Sequence, residues 1–297
     1  MEKEKNTKAY IALLTIYIVW GTTYLAIRIG VASLPPVLFT GFRWLIAGPI
    51  LMLFLILRKY KLPNKNDVLH LGIGGLLLIG GGNGLVVFAE QWVPSGLTAL
   101  LITTVPFWVV GMEAVMPNSK RINVLIITGL LLGLVGVGMI FGTDFKSLFD
   151  PSHSAGIVGL LLAEVCWSAG TLYLKYKKVS VHPLMGAATQ MLVAGIVITI
   201  VGLLLGEAGS FHFTSTGFYA FIYLVIAGSL VAFGAYVYAV AHLPISLVAT
   251  YAYVNPVIAL FLGWLILDEK ITIWVILAAF VILAGVMLVK KGSEKSI

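Results

Sequence analysis

The stretch "TYAYVNPVIALFLGW", Thr250 to Trp264, is apolar enough to lie in lipid, yet Asn255-Pro256 stands near its middle. Proline lacks a backbone donor and clashes with the preceding turn, which weakens any helix that contains it. Inside hydrocarbon an unpaired carbonyl is at its most costly, so an interruption there needs a reason. That the surroundings are hydrocarbon follows from composition. Of 297 residues, 60% are apolar and 10% charged, against roughly 45–50% and about 25% in an ordinary soluble domain. Mean hydropathy is +1.05. Ten apolar runs lie near 9–29, 37–57, 68–90, 97–116, 122–142, 156–176, 184–204, 217–240, 246–267 and 272–290. Each has about 20 residues, enough for about 30 Å of helix. Runs this long satisfy their backbone in lipid only as helices. The expected fold class is therefore an all-α polytopic membrane protein with ten transmembrane helices and no separate soluble domain.

The formal charge of +7 invites a nucleic-acid reading, but its placement argues otherwise. With the N-terminus in the cytoplasm, that side collects Lys3, Lys5 and Lys8, then Arg58, Lys59, Lys61 and Lys65. Lys120 and Arg121, Lys175, Lys177 and Lys178, and Lys290, Lys291 and Lys295 follow, making 15 of the 19 basic residues. Arg28, Lys146 and Lys270 fall on the other side, and Arg43 lies inside a run. The positive-inside rule then expects both termini in the cytoplasm. Membrane lipid, not nucleic acid, is the expected macroscopic partner. The first run lacks a small-residue cleavage site and reads as a retained helix. The single Cys166 permits no internal disulfide. Metal-ligand clusters, G-x-x-x-x-G-K and H-E-x-x-H are all missing from the sequence, so neither a metal nor a cofactor is expected.

The chain repeats itself. An offset of 147 lays Trp20 on Trp167, Pro36 on Pro183 and Ala47-Gly48 on Ala194-Gly195. At 150, Pro94 meets Pro244, Ala99 meets Ala249 and Pro106 meets Pro256; at 149, Gly136-Val137 meets Gly285-Val286. Ordered matches among scarce Trp and Pro, 7 and 11 in the chain, are hard to obtain by chance. Two five-helix units are expected, 1–147 and 148–297. An odd count makes the second enter the membrane from the opposite face, the inverted-repeat plan of many secondary transporters. Pro106 and Pro256 then become paired breaks at mid-membrane, beside Thr103, Thr104 and Asn255. Such pairs point to a substrate site; a kink that merely aids packing is the alternative.

The segments "IVWGTTYLAIRIGV", "LPPVLFTGFRWLIAG", "GNGLVVFAEQWVPSG", "TYAYVNPVIALFLG" and "AAFVILAGVML" resemble the EamA-type permeases of the drug/metabolite transporter superfamily. The likeness covers nearly the whole chain in order. It implies a ten-helix inverted-repeat carrier in the bacterial inner membrane, often an exporter of amino acids, other metabolites or toxic compounds. Family positions carried over are Trp20-Gly21, Arg43, Pro106 and Pro256. A Gly-Glu after each unit's fourth helix, common in the family, is replaced by "PNSKR" in one unit and Asp268-Glu269 in the other.

Polar side chains in lipid are costly and usually face a bundle interior. Glu164, Trp167, Ser168 and Thr171 share one helical face, as do Tyr17, Trp20, Gly21 and Tyr24. Glu164 lies deep in its run, where a charge is costly. It is the proton-coupling candidate, loaded from one side and released to the other; a permanent ion pair with Arg43 is the alternative. Glu90 and Gln91 sit near Arg28 in depth, where interfacial solvation is favoured over a gate pair. Asn83, Trp108, Tyr238, Tyr251 and Asn255, with Trp20, Tyr24, Trp167 and Thr171, complete a substrate site of aromatic faces and few hydrogen-bonding points. It suits a neutral, zwitterionic or amphipathic small molecule. Trp92, Trp264 and Trp274 read as lipid-belt anchors. The expected function is secondary transport, with an intramembrane enzyme or non-transporting sensor as the alternative. No paired aspartates or Ser/His arrangement supports an enzyme. Substrate identity and oligomeric state are left open.

Overall fold

A computed structural model describes residues 2–116, 122–141, 150–267 and 273–295. The whole of "PNSKR", which includes Lys120 and Arg121, lies outside the described residues, as do Lys146, Asp268, Glu269 and Lys270. Among the described residues the chain is helical without strands. Helix α1 is Glu2–Val31 and α2 is Pro36–Leu57. The third apolar run begins as α3, Lys65–Gly75, widens into a π-helix over Leu76–Gly84, and ends as α4, Leu85–Ala89. The fourth is divided into α5, Ser95–Ile102, and α6, Val105–Ala114, followed by α7, Val124–Phe141. In the second half come α8, Ser154–Tyr176, and α9, Pro183–Leu204. Then α10, Ser215–Tyr223, passes through a second π-helix, Leu224–Phe233, into α11, Gly234–His242. The last run but one is divided into α12, Ile245–Ala249, and α13, Tyr251–Leu267, before α14, Ile273–Lys295.

Eight of these stretches are long and apolar enough to cross a membrane, where ten runs were expected. The other two, Val124–Ile140 and Ile245–Ile258, are shorter apolar helices. One borders the undescribed residues 142–149, and the other contains a break. Helix starts follow local chemistry. Pro36 and Pro183 open α2 and α9 in the first turn, where the missing donor costs nothing. Asn64 and Asp67 form a reciprocal capping box on α3.

The interruptions fall ahead of the prolines. Thr103 and Thr104 separate α5 from α6, and Thr250 separates α12 from α13. Pro106 stands in the first turn of α6, while Pro256 lies inside α13. Threonine is what allows this: Thr103 Oγ1 donates to Leu100 O at 2.5 Å, and Thr250 Oγ1 to Leu247 O at 2.6 Å. Each of these carbonyls also accepts the backbone N–H of the same threonine at 3.2 Å, so amide and hydroxyl together close the last turn before the break.

Helix α2 packs along α9, and α7 along α14, as the most extensive helix pairs. Glycine permits both. A methyl group on Gly48 would lie 2.7 Å from Leu192 N, and one on Gly195 would lie 2.4 Å from Leu45 N. Across the other pair, a methyl on Gly129 would lie 2.6 Å from Gly285 O, and one on Gly285 would lie 2.6 Å from Gly129 O. The second relation mirrors the first. Backbone-to-backbone approach of this kind requires residues without a side chain.

Connections gather at two ends of the bundle. At one, Lys290 Nζ stands 4.9 Å over the Tyr10 ring, and Tyr60 meets His182 with centroids 4.8 Å apart. Ser180 N donates to Asp67 Oδ1 at 3.0 Å. At the other, Glu207 receives Leu38 N at 2.7 Å and Val37 N at 3.3 Å. Pro35 has no side chain that could cap α2, so Glu207 supplies the cap from the α9–α10 connection. Replacing Glu207 with alanine is expected to cost about 1 kcal/mol, the usual worth of a helix cap. The check is thermal unfolding of the detergent-purified protein, with Glu207→Gln falling between alanine and wild type.

Candidate functional site

Helices α1, α2 and α8, with the first π-helix, line a cavity of about 70 Å³. At about 10–15 Å³ each, that is room for roughly five waters. Trp20, Thr23, Tyr24 and Ile27 come from α1, Arg43 and Trp44 from α2, and Gly82 and Asn83 from the π-helix. Ala163, Glu164 and Trp167 come from α8. Val86, Ile102, Val105 and Tyr251 close it, so the threonine break of α5–α6 lies in its wall.

Two groups of opposite charge face this space without touching each other. Arg43 is 2% exposed; its Nε donates to Ser229 Oγ at 2.8 Å and its guanidinium lies 4.5 Å over the Trp44 ring. Gly228 makes room for it, since a methyl there would lie 2.8 Å from Nη2. Nη1 has no partner. Glu164 is fully buried and accepts a hydrogen bond from the Thr104 hydroxyl, while its Oε1 has no partner. The alternative of a permanent Arg43–Glu164 ion pair is therefore corrected: each is held by a hydroxyl on a different helix. A buried charged atom left unpaired is expensive, which marks both as ligand-facing groups.

Aromatic rings form the rest. Trp20 and Trp167, which occupy corresponding positions in the two halves, meet edge-on with centroids 5.4 Å apart. Tyr251 stands 5.0 Å from Trp20, and Tyr236 stands 5.2 Å from Trp20 and 5.1 Å from Trp167. Each indole seats on the opposite half's π-helix. Trp20 Nε1 reaches Gly228 O at 3.4 Å, and a methyl on Gly82 would lie 2.7 Å from Trp167 Cε3.

Of the residues singled out from sequence, Trp20, Tyr24, Asn83, Glu164, Trp167 and Tyr251 line the cavity. Thr171 stands behind it, bonded to Tyr236 OH at 2.5 Å. Trp108 is outside it, donating to Thr104 Oγ1 at 3.2 Å. The Asn255 amide lies 3.0 Å from the Tyr251 and Tyr17 carbonyls; turned so that its nitrogen faces them, it donates to both and ties α13 to α1. Tyr238 is stacked on His242 at 4.2 Å, away from the lining. Trp92 and Trp274 are exposed; the Trp264 side chain lies outside the described set. Glu90 corrects the expectation of solvation, because it is fully buried. Residues the sequence reading missed are Thr23, Trp44, Ser229 and Tyr236. Tyr236 had no usable signal: the π-helix just before it carries a wider turn, so uniform α-helical spacing no longer tells which face a residue occupies.

Broken apolar helices around a small buried polar site are the construction of membrane carriers, and the chain is a multi-pass membrane transporter. It belongs to the EamA-like transporter family, which it matches over residues 7–142 and again over 154–290. It is 37% identical over 282 residues to the inner membrane transporter YedA of Escherichia coli, spanning 95% of this chain and 90% of that one. Identity to the transporter YoaV of Bacillus subtilis is 27%, spanning 95% and 96%. A Salmonella typhimurium protein named "Probable amino-acid metabolite efflux pump" is 24% identical over 93% of this chain and 92% of its own. A crystal structure superposes with a TM-score of 0.80 at 20% identity, over 97% of this chain and 98% of that one, a likeness of fold alone.

Proposed function

We propose that the protein is a secondary carrier of the inner membrane that exports a small zwitterionic or neutral metabolite by alternating access, coupled to protons through Glu164. The observation that carries this reading is the pair of unpartnered buried atoms, Arg43 Nη1 and Glu164 Oε1, facing one cavity. A substrate carboxylate fits the first and an ammonium the second. Trp20, Tyr24, Trp167 and Tyr251 would pack its apolar part, and Asn83 would offer an amide. Thr171 would act by holding Tyr236. Trp108 would act on Glu164 through Thr104. Asn255 would act as a tie between helices and Tyr238 at a more distant point. Export and an amino-acid-like cargo are also what the name of the Salmonella relative suggests.

The moving parts would be two inverted five-helix units, 1–147 and 148–297, with both termini in the cytoplasm. The double family match supports the division. Further support comes from the mirrored glycine contacts, the two π-helices and the crosswise seating of Trp20 and Trp167. Pro106 and Pro256, each just beyond a threonine break, would fix where the units flex.

The test has two stages. A thermal-shift screen of purified protein against amino acids and related metabolites should find a ligand. At about 100 times its Kd, a ligand of the native state adds roughly 2.7 kcal/mol of stability. Uptake of that ligand into inverted vesicles should then rise when the lumen is made acidic. Flux indifferent to the pH gradient would remove the coupling proposal, and absence of ligand-dependent flux would remove the carrier.

A further inference from the structure

We infer that Glu90 is a second proton-exchanging group, placed between the cavity and one end of the bundle, with Arg28 as its partner in the opposite conformational state. The inference rests on the proton-coupled reading of Glu164.

Glu90 ends α4, is fully buried, and neither carboxyl oxygen has a hydrogen-bond partner. A cation is within reach and does not use it. Arg28, in the last turn of α1, donates Nη1 to the backbone carbonyl of Glu90 instead. An ionised carboxylate left unpaired in this way would cost several kcal/mol. A protonated carboxyl at the same place costs far less, so this state holds the proton. The charged form needs only that the guanidinium move from the carbonyl to the carboxyl of the same residue.

Position connects this group to the cavity. Tyr24 lies one turn before Arg28 on α1, lines the cavity, and is within electrostatic reach of both Glu90 and Glu164. Helix α4 packs against α1, α2, α8 and the first π-helix. From α1 the facing groups are Tyr24 and Arg28. From α2 the charged group is Arg43, already bonded to Ser229. From α8, Gly156 and Gly159 meet Ala89 and its neighbours, with Glu164 two turns further on. The π-helix, "LLLIGGGNG", carries no titratable side chain. Among the described residues, only Arg28 is therefore placed to stabilise the carboxylate. Opening this end lets the carboxylic acid release its proton to water as Arg28 takes the carboxylate; sealing it reverses both steps.

The sign follows. If the sealed state binds one proton more than the open state, raising pH favours opening, by up to about tenfold per pH unit for one linked proton. Thr98, fully buried on α5 one turn beyond the 90–94 connection, reports the opening. In lipid nanodiscs, with Cys166→Ala as background, the maleimide labelling rate of Thr98→Cys, divided throughout by that of a free thiol at the same pH so that thiolate formation cancels, should be several-fold higher at high than at low pH. Glu90→Gln, neutral and the same shape, should hold the rate low at every pH. Arg28→Gln should move the rise to higher pH. Glu164→Gln should keep the labelling response while losing gradient-driven flux.

A Glu90→Gln protein that follows pH as wild type does would overturn the proposal, as would a wild type without a pH response. If Glu164→Gln alone removes the response, Glu90 is excluded while coupling through Glu164 stands. If Glu164→Gln keeps full coupled flux and Glu90→Gln flattens the response, Glu164 is excluded and Glu90 stands. Should Glu90→Gln not accumulate, infrared spectra of wild type and Arg28→Gln decide. A buried protonated carboxyl band whose pH midpoint rises in Arg28→Gln supports the proposal, and no such band at neutral pH overturns it.

Discussion

Gly195→Val is expected to lower the thermal unfolding temperature by about 5 °C or more, or to prevent accumulation of folded protein. At Gly195 a Cβ would lie 2.4 Å from Leu45 N and 2.8 Å from Leu45 Cα, both main-chain atoms that cannot step aside. Overpacking a tight core usually costs about 1–3 kcal/mol, and a backbone clash belongs at or beyond the top of that range. For a chain of 297 residues about 3 kcal/mol corresponds to a shift of about 5 °C. Gly48→Val should behave alike, because its Cβ would meet Leu192 N at 2.7 Å from across the same seam. Gly111→Ala is the control: nothing lies within 4 Å of its added Cβ, so stability should hold. Equal unfolding temperatures for Gly195→Val and Gly111→Ala would show that α2 and α9 are not in backbone contact.

The second large effect concerns function. Glu164→Gln should abolish flux driven by a pH gradient, while exchange of ligand across the membrane in the absence of a gradient continues. Glutamine keeps the Thr104 hydrogen bond but cannot carry the proton. Arg43→Gln should do the reverse, retaining a response to the gradient while weakening a carboxylate-bearing ligand by roughly 10- to 100-fold. That range follows from about 1.5–3 kcal/mol for a hydrogen bond to a charged group. Ser229→Ala should give a smaller loss of the same kind, since it frees the guanidinium that Ser229 orients at 2.8 Å. A ligand equally well bound by Arg43→Gln would show that the cavity takes no carboxylate there.

Much of this architecture is legible in the residues, and the exceptions have physical causes. Apolar runs mark the helices because lipid leaves the backbone no other partner, and their positions agree with α1, α2, α9 and α14 to within a few residues at most ends. The two π-helices escaped notice, since "LLLIGGGNG" and "LVIAGSLVAF" differ from ordinary α-helix in hydrogen-bond register, not in polarity. Pro106 and Pro256 flagged the right segments, but the chain breaks earlier, where Thr103 and Thr250 can fold their hydroxyls back onto carbonyls.

For the site, depth was readable and direction was not. Glu164, Trp20 and Trp167 line one cavity, because each stripe spans two turns of unbroken helix. Tyr238 and Trp108 lie elsewhere: Tyr238 stacks on His242 and stands 6.2 Å from His182, near one end of the bundle, and Trp108 is exposed. Their helices begin with a break or a widened turn, which resets the angle at which every later side chain leaves the axis. Glu90 was misread for the opposite reason: its place near a helix end suggested water, but the α4–α8 packing closes over it.

One feature of the fold bears on how the protein can be engineered. Lys290, near the finish of α14, leans over the ring of Tyr10, near the beginning of α1. Helices α14 and α1 are thus neighbours at one end of the bundle. A brief flexible bridge would suffice to close the chain into a ring, with fresh ends cut into any exposed connection, and the folded body would present no topological obstacle to it.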